Sequence, residues 1–141
     1  MTKFEGPIKT VPQSPLVIYK FLTDFDNFKP LLPEDKISYW ENSKESCRFE
    51  IEGIGEIGLT IVDKEENKTV KYSSDGKTPF NFFLWVQLKE ISKNNSKIKL
   101  TIKADLNPMI KMMVSKHIER FLEEITSSIA DYNFPNNEEI S

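Results

Sequence analysis

The chain has 141 residues, of which 38% are hydrophobic and 29% are charged. This balance is typical of one globular domain with a single core, and it is too apolar for a disordered chain. The basic residues number 19 and the acidic residues 22, which gives a net charge of −3 and a pI near 5.3. Proteins that neutralise phosphates usually carry a basic excess, so we do not expect nucleic acid as a partner.

Cysteine and histidine are scarce in this chain. Cys47 is the single cysteine, which excludes a disulfide within the chain, and one histidine leaves no Cys/His cluster for structural zinc. No apolar run approaches the roughly 20 residues of a membrane helix, and the N-terminus lacks the apolar stretch of a signal peptide. We therefore expect a cytoplasmic protein with no metal, no cofactor and no membrane span.

The N-terminal part is predicted to form a strand at 4–11 and then two short helices. Ser14-Pro15 combines a capping side chain with a proline in the first turn, which predicts a helix at 16–22. Asp24 or Asp26 can cap the second helix, and Pro30 and Pro33 would end it because proline lacks the N–H that a helix needs.

Six further strands follow, since apolar and polar residues alternate in each of them. Charged or Asn/Gly-containing turns separate the strands, so neighbours should be joined by hairpins and lie antiparallel. Together with the first strand they make a sheet of about seven strands. The predicted strands are 37–40, 47–52, 57–61, 70–74, 80–88 and 98–104.

The last element is predicted to be a long helix. Asn107-Pro108 repeats the cap-and-proline signature, and apolar residues then recur at helical spacing from Ile110 to Ile129. A helix of about 24 residues would be roughly 36 Å long. These elements define one α+β domain over residues 1–134, followed by a polar tail at 135–141 that we expect to be frayed.

The order of elements predicts an internal cavity. Seven flat strands would be roughly 30 Å wide, whereas one helix is only about 10–12 Å across. The sheet should therefore curl around the long helix, and the glycines at 53, 55 and 58 allow it to bend. A curled sheet closed by helices can enclose more volume than its side chains fill, although a filled core remains the alternative.

The same glycines belong to the segment 53–58, which matches the G-x-G-x-x-G pattern of dinucleotide sites. Such a site needs a helix after the glycines, because the helix N-terminus binds the phosphates. Period-two alternation follows here, which indicates a strand and argues against a nucleotide.

The element order also resembles the START and Bet v 1-like helix-grip superfamily, including its polyketide-cyclase-like bacterial members. Residues 10–33, TVPQSPLVIYKFLTDFDNFKPLLP, are similar to the opening segment of that family, with Leu22-Thr23-Asp24 before the second helix. Many relatives carry a tryptophan shortly before the proline, whereas Leu31-Leu32 precede Pro33 here. The segment from Pro108 to Ile129 resembles the family's final helix. The resemblance spans residues 3–132 and implies a cavity for a hydrophobic ligand rather than a particular reaction.

Our leading functional hypothesis is therefore a protein that binds or carries an apolar or amphipathic small molecule, such as a lipid, a polyketide or a steroid-like compound. No catalytic cluster is evident, which favours a binder over an enzyme. The residues expected to line the pocket are Phe28, Tyr39, Phe49, Leu59, Tyr72, Phe82, Leu84, Leu100, Met113, His117 and Phe121.

His117 is the candidate catalytic residue for an enzymatic alternative. It lies one turn after Met113 and one turn before Phe121, so it should face the sheet or the cavity. There it could orient a ligand's polar group, or it could transfer a proton together with a pocket tyrosine or acid, such as Tyr39 or Tyr72, in a cyclase, dehydratase or lyase. A hydrogen-bonded histidine at the edge of the apolar stripe, or at the mouth of the pocket, is the structural alternative.

Two aromatic residues indicate a third possible function, an interaction with another protein. Phe83 and Trp85 have the opposite parity from the inward residues of their strand, so they should point outward and could form an interaction surface, for example in a homodimer. Four lysines of this and the neighbouring strand also point outward, where they keep strands soluble or meet an anionic partner. They are Lys89, Lys97, Lys99 and Lys103.

Overall fold

One antiparallel sheet and two α-helices make up the fold in the computed structural model, which describes residues 1–135. The strands are β1 (Thr2–Glu5), β2 (Lys9–Val11), β3 (Ile37–Asn42), β4 (Ser46–Ile51), β5 (Gly55–Glu65), β6 (Thr69–Ser74), β7 (Phe82–Ser92) and β8 (Asn95–Ala104). The helices are α1 (Pro15–Leu22) and α2 (Pro108–Asp131). The predicted α+β class, with a curved sheet and a long final helix, is confirmed.

The sheet has the strand order β1-β8-β7-β6-β5-β4-β3, and β2 also pairs with β8. The predicted first strand is thus two strands on one partner, which is why the sheet has eight strands rather than about seven. Pro7 interrupts the pairing because it has no N–H to donate. Next to it, the Gly6 N–H donates to the Leu100 carbonyl oxygen at 2.9 Å, which keeps the chain close to β8.

The segment between β2 and β3 differs in part from the prediction. Helix α1 begins as expected, with Ser14 accepting a hydrogen bond from the Val17 N–H at 3.4 Å. The second helix is replaced by three single 3-10 turns, because Pro30 and Pro33 come too soon for an α-helix to form. The turns are Phe25–Asn27, Lys29–Leu31 and Glu34–Lys36.

Helix α2 packs across β1, β2 and β8 on the inner face of the sheet. Asn107 caps it by accepting a hydrogen bond from the Ile110 N–H at 2.9 Å, and the helix has the 24 residues expected of it. Its buried stripe begins only at Val114. In the first turns only Ile110 packs against the core, where it is partly buried, whereas the three methionines are exposed. These are Met109, Met112 and Met113.

The core lies between the inner face of the sheet, α2, α1 and the 3-10 turns. Buried residues alternate with more exposed ones in β4, β6 and β7, and in β7 every second residue from Phe82 to Leu88 is buried. The predicted extent of the domain, residues 1–134, stays a prediction. The predicted frayed tail, 135–141, lies outside the described residues except for Pro135. Within the described part, neither helix combines the length and the apolar character needed to cross a membrane.

Candidate functional site

An apolar cavity lies between the inner face of the sheet and α2. Its volume is about 30 Å³, and all fourteen side chains that line it are Phe, Leu or Ile. Small-molecule sites usually measure about 300–1,000 Å³, and one water-sized probe fills about 10–15 Å³. The sheet thus curls around the helix as predicted, but its interior is nearly filled by side chains.

Aromatic side chains account for the filling. Phe25 and Phe28 come from the 3-10 turns, and their rings are 4.9 Å apart in an edge contact. Phe28 also meets Tyr72 at 5.8 Å, and Trp40 stacks on Phe49 at 5.6 Å. Large rings from the connection between α1 and β3 therefore occupy much of the space in which the number of strands predicted a cavity.

Six of the predicted pocket residues line the cavity. They are Phe28, Phe49, Leu59, Phe82, Leu84 and Phe121. Tyr72 and Leu100 are fully buried but lie in the surrounding core. The Tyr72 hydroxyl donates to the Leu22 carbonyl oxygen at 2.5 Å, so it ties β6 to the end of α1.

Tyr39 and Met113 are exposed, which corrects their predicted place in the pocket. Tyr39 is 54% exposed because β3 is irregular between Ser38 and Trp40, and Tyr39 adopts a φ of 54° there. This bulge turns Trp40 inward in its place. Met113 is 67% exposed because it precedes Val114, where the buried stripe of α2 begins.

His117 lies beside the cavity rather than in it. Its exposed ring packs on the backbone of Gly53, where a Cβ would overlap the imidazole. The ring borders a polar cleft of about 50 Å³. Ile51 and Phe121 line both this cleft and the apolar cavity, so they lie between the two spaces. The charged residues of this cleft are Lys36, Glu52, Arg120 and Glu124.

The structure does not bring together the three residues of the enzymatic alternative. His117 borders the cleft, Tyr72 is buried with its hydroxyl bonded to a backbone carbonyl, and Tyr39 is exposed at a bulge of β3. Acid–base catalysis needs its groups within hydrogen-bond reach of one reacting atom. This arrangement places them in three separate environments.

Eight lining residues were not in the predicted set. They are Leu32, Ile51, Ile54, Ile57, Phe80, Ile102, Ile118 and Ile125. Strand parity could have found Ile51, Ile57 and Ile102, which alternate with polar neighbours. Phe80 was predicted to be in a strand, yet it precedes β7 and reaches the cavity from the β6–β7 loop.

Two loops form one rim of the cavity. The β4–β5 turn carries the lining residue Ile54 between Gly53 and Gly55, whose φ angles of 84° and 115° favour glycine. The β6–β7 loop carries Phe80. Sequence reasoning assigned these glycines to strand bending; two of them instead shape this turn.

Arg48 ties the β6–β7 loop to the sheet. Its Nε donates to the Glu56 carboxylate at 2.9 Å, and its two terminal nitrogens donate to the carbonyl oxygens of Asp75 at 2.9 Å and Lys77 at 2.7 Å. A Cβ at Gly58 would overlap the Asp75 carbonyl, so only glycine allows this approach. We call these contacts the Arg48 clamp.

Two buried titratable groups lie in the core near the site. Burial raises the pKa of the Cys47 thiol to about 12, and it raises the pKa of Tyr72 well above its ordinary value. Both groups are therefore neutral at physiological pH, and the thiol is a poor nucleophile. Across residues 1–135, no group of three or more His, Cys, Asp or Glu side chains is placed to hold a metal ion.

Comparisons with known proteins identify the fold. No protein-family model matches the chain, and no curated protein matches it significantly in sequence. Among solved structures, protein XoxI from Bacillus cereus has a TM-score of 0.66 at 15% identity, covering 93% of this chain and 97% of that one. A START superfamily protein from Mycobacterium smegmatis has a TM-score of 0.64 at 12% identity, covering 90% and 96%. The Aha1 dimer from Colwellia psychrerythraea has a TM-score of 0.60 at 20% identity, covering 93% and 98%.

The chain therefore has the same fold as these proteins, an antiparallel sheet curved around a long C-terminal helix, which is the fold that the sequence resemblance implied. At these identities the likeness establishes the fold alone, because one fold can serve unrelated functions.

Proposed function

We propose that the protein binds an apolar or amphipathic small molecule, of lipid, polyketide or steroid-like character, between the sheet and α2. The observation that carries the proposal is the chemistry of the cavity, whose lining offers no side-chain polar atom to water. Apolar cavities stay dry and take apolar guests. Each Å² of apolar ligand surface removed from water would contribute about 25 cal/mol to binding.

Binding requires the cavity to open, since about 30 Å³ cannot hold such a ligand. The two rim loops are the segments that we expect to move. Ile54 is only partly buried, and Gly53 and Gly55 flank it. The loop with Phe80 is held by the Arg48 clamp and by the buried Phe80 ring, which packs against Phe82, so opening the cavity there breaks both sets of contacts.

The polar cleft beside the cavity favours a ligand with a polar end. Only Ile51 and Phe121 separate the two spaces, so an apolar body in the cavity could extend a head group into the cleft. Lys36, His117 and Arg120 would offer donors there, and Glu52 and Glu124 would offer acceptors. His117 acts in this proposal as a binding residue at the pocket mouth.

The test is a binding titration followed by methyl NMR, with laurate, cholesterol and the fluorescent dye anilinonaphthalene sulfonate as probes. Binding should shift the methyl signals of lining residues such as Ile57 and Ile102 more than that of the exposed Ile91. The variant Ile118→Phe fills the cavity and should lose binding, whereas Met112→Phe adds the same ring to an exposed position and should not. Equal binding by both variants, or shifts confined to surface methyls, would contradict the proposal.

A further inference from the structure

The outer face of β1, β8, β7 and β6 carries a concentration of lysines. The register of the strands places six lysines on the outward rows, with Glu5 as the one acidic residue in those rows. We call this surface the lysine face. Its lysines are Lys3, Lys71, Lys89, Lys97, Lys99 and Lys103.

This clustering opposes the stability of the sheet. Lys3 is directly opposite Lys103, and Lys89 is directly opposite Lys97. Like charges in directly opposed positions destabilise a strand pair. Glu5 neutralises little of the face, because its one carboxylate is shared between Lys3 at 3.3 Å and Lys99 at 3.0 Å. Solubility alone does not require such pairs in a protein whose net charge is −3.

Two aromatic rings lie within the lysine face. The rings of Phe83 and Trp85 are 5.8 Å apart, and both side chains are half-buried. The Lys71 ammonium lies 4.4 Å from the Phe83 ring centre and 5.2 Å from that of Trp85. The Lys103 ammonium lies 5.7 Å from the Trp85 ring centre. These cation–π contacts hold two ammonium groups in place, which lowers the entropy lost when the groups bind an anion.

The other half of the outer sheet surface is acidic. The outward rows of β3, β4 and β5 carry five acidic residues and one arginine, and the boundary lies where Lys71 pairs in register with Asp63. The acidic residues are Glu41, Glu50, Glu56, Asp63 and Glu65. The positive surface is therefore confined to four strands, roughly 14 Å from first to last, which is about the span of four extended residues.

We propose that the lysine face binds a short acidic segment of a partner protein. Carboxylates from such a segment would neutralise the opposed lysine pairs and the ammonium groups that Phe83 and Trp85 hold in place. The site lies on the opposite side of the sheet from the cavity, so it does not depend on the proposed small-molecule function.

Two other occupants fit the face less well. Nucleic acid would need free ring faces for base stacking, whereas ammonium groups already lie over Phe83 and Trp85, and the acidic strands next to the face would repel a longer phosphate backbone. A second copy joined by a twofold contact centred on Trp85 would place lysine against lysine. The predicted homodimer through this surface is therefore disfavoured.

The experiment uses the full chain and a fluorescein-labelled peptide of alternating Asp and Glu, titrated by anisotropy at about 50 mM and about 150 mM NaCl, since salt screens exposed charges. Reversing two charges of the face, in Lys71→Glu with Lys103→Glu, should weaken binding by roughly tenfold or more. The matched control, Lys111→Glu with Lys116→Glu, changes the same charge on α2 and should leave affinity within about twofold. In a Trp40→Phe background, Trp85 is the one remaining tryptophan, and its emission should change on binding.

Several results would overturn the proposal. The wild-type chain could fail to bind the acidic peptide at the lower salt concentration. The control pair could weaken binding as much as the face pair, which would indicate attraction by overall charge. Oligo-dT of equal charge could bind as tightly with the same dependence on Lys71 and Lys103. If the reversed pair fails to fold by circular dichroism, Lys71→Gln with Lys103→Gln tests the same loss, and unchanged affinity would again overturn the proposal.

Discussion

Replacement of Arg48 by methionine should loosen the β6–β7 loop while leaving the sheet assembled. Methionine keeps much of the aliphatic length of arginine but removes all three hydrogen bonds of the Arg48 clamp. Lysine is the informative comparison, because it keeps the charge and loses the planar fork that reaches three acceptors at once.

The expected loss of stability can be estimated from the hydrogen bonds that the substitution removes. A hydrogen bond to a charged group contributes about 1.5–3 kcal/mol, so three such bonds set an upper range of several kcal/mol. Asp75, Lys77 and Glu56 are exposed, and water can replace the guanidinium at each of them. We therefore expect Arg48→Met to lower the free energy of unfolding by about 2 kcal/mol, and Arg48→Lys by about 1 kcal/mol.

Urea denaturation measures the stability of both variants, and hydrogen exchange resolved by segment locates the effect. Amides of residues 75–81 should exchange faster in Arg48→Met, whereas those of β7 and β8 should change only by the loss of global stability. Lys3→Met, which removes a cation from an exposed pair, is the matched control and should cost less than about 0.5 kcal/mol. The reasoning is refuted if Arg48→Met is as stable as this control, or if exchange in 75–81 is unchanged.

Three further predictions concern buried or strained positions. Gly53→Ala should lower the free energy of unfolding in urea by about 1–2 kcal/mol, because its φ of 84° disfavours a side chain and the new Cβ would meet His117. Adding His117→Ala should restore only the part of the stability that is lost through this contact. Cys47, whose pKa burial raises to about 12, should react with Ellman's reagent at pH 8 only as fast as the protein unfolds, and rapid labelling of folded protein would contradict its placement. Burial also raises the pKa of Tyr72 above that of the unfolded chain, so the stability linked to its neutral form is complete below about pH 10 and is lost as pH rises further. Unfolding free energies at pH 8 and pH 11 should therefore differ more for wild type than for Tyr72→Phe, and equal losses would contradict this linkage.

The fold could be predicted because its signals are local. Ser14-Pro15 and Asn107-Pro108 mark two helix starts by capping chemistry that needs no tertiary contact, and both helices begin there. The alternation of apolar and polar residues likewise predicted which residues of β4, β7 and β8 point inward. The missed break at Pro7 was also a local signal, since proline cannot donate in a sheet.

The interior could not be predicted at the same level, because it depends on how distant segments meet. The bulge that exposes Tyr39 and turns Trp40 inward is a property of the pairing between β3 and β4. The exposure of Met113 depends on which side of α2 meets the sheet, and its neighbour Val114 is buried instead. Phe28 can fill the cavity or leave it open, depending on where the 3-10 turns pack against the sheet. The hydrophobic periodicity of the sequence does not specify that position.

The division of the outer surface into a lysine face and an acidic half separates opposite charges across one side of the sheet, and the net charge of −3 does not reveal this local dipole. A dipole turns in the field of an approaching charged body, so the protein should meet an anionic body with β7 and β8 in front well before any side chain touches. It should also be retained on a cation-exchange resin at neutral pH, above its own isoelectric point.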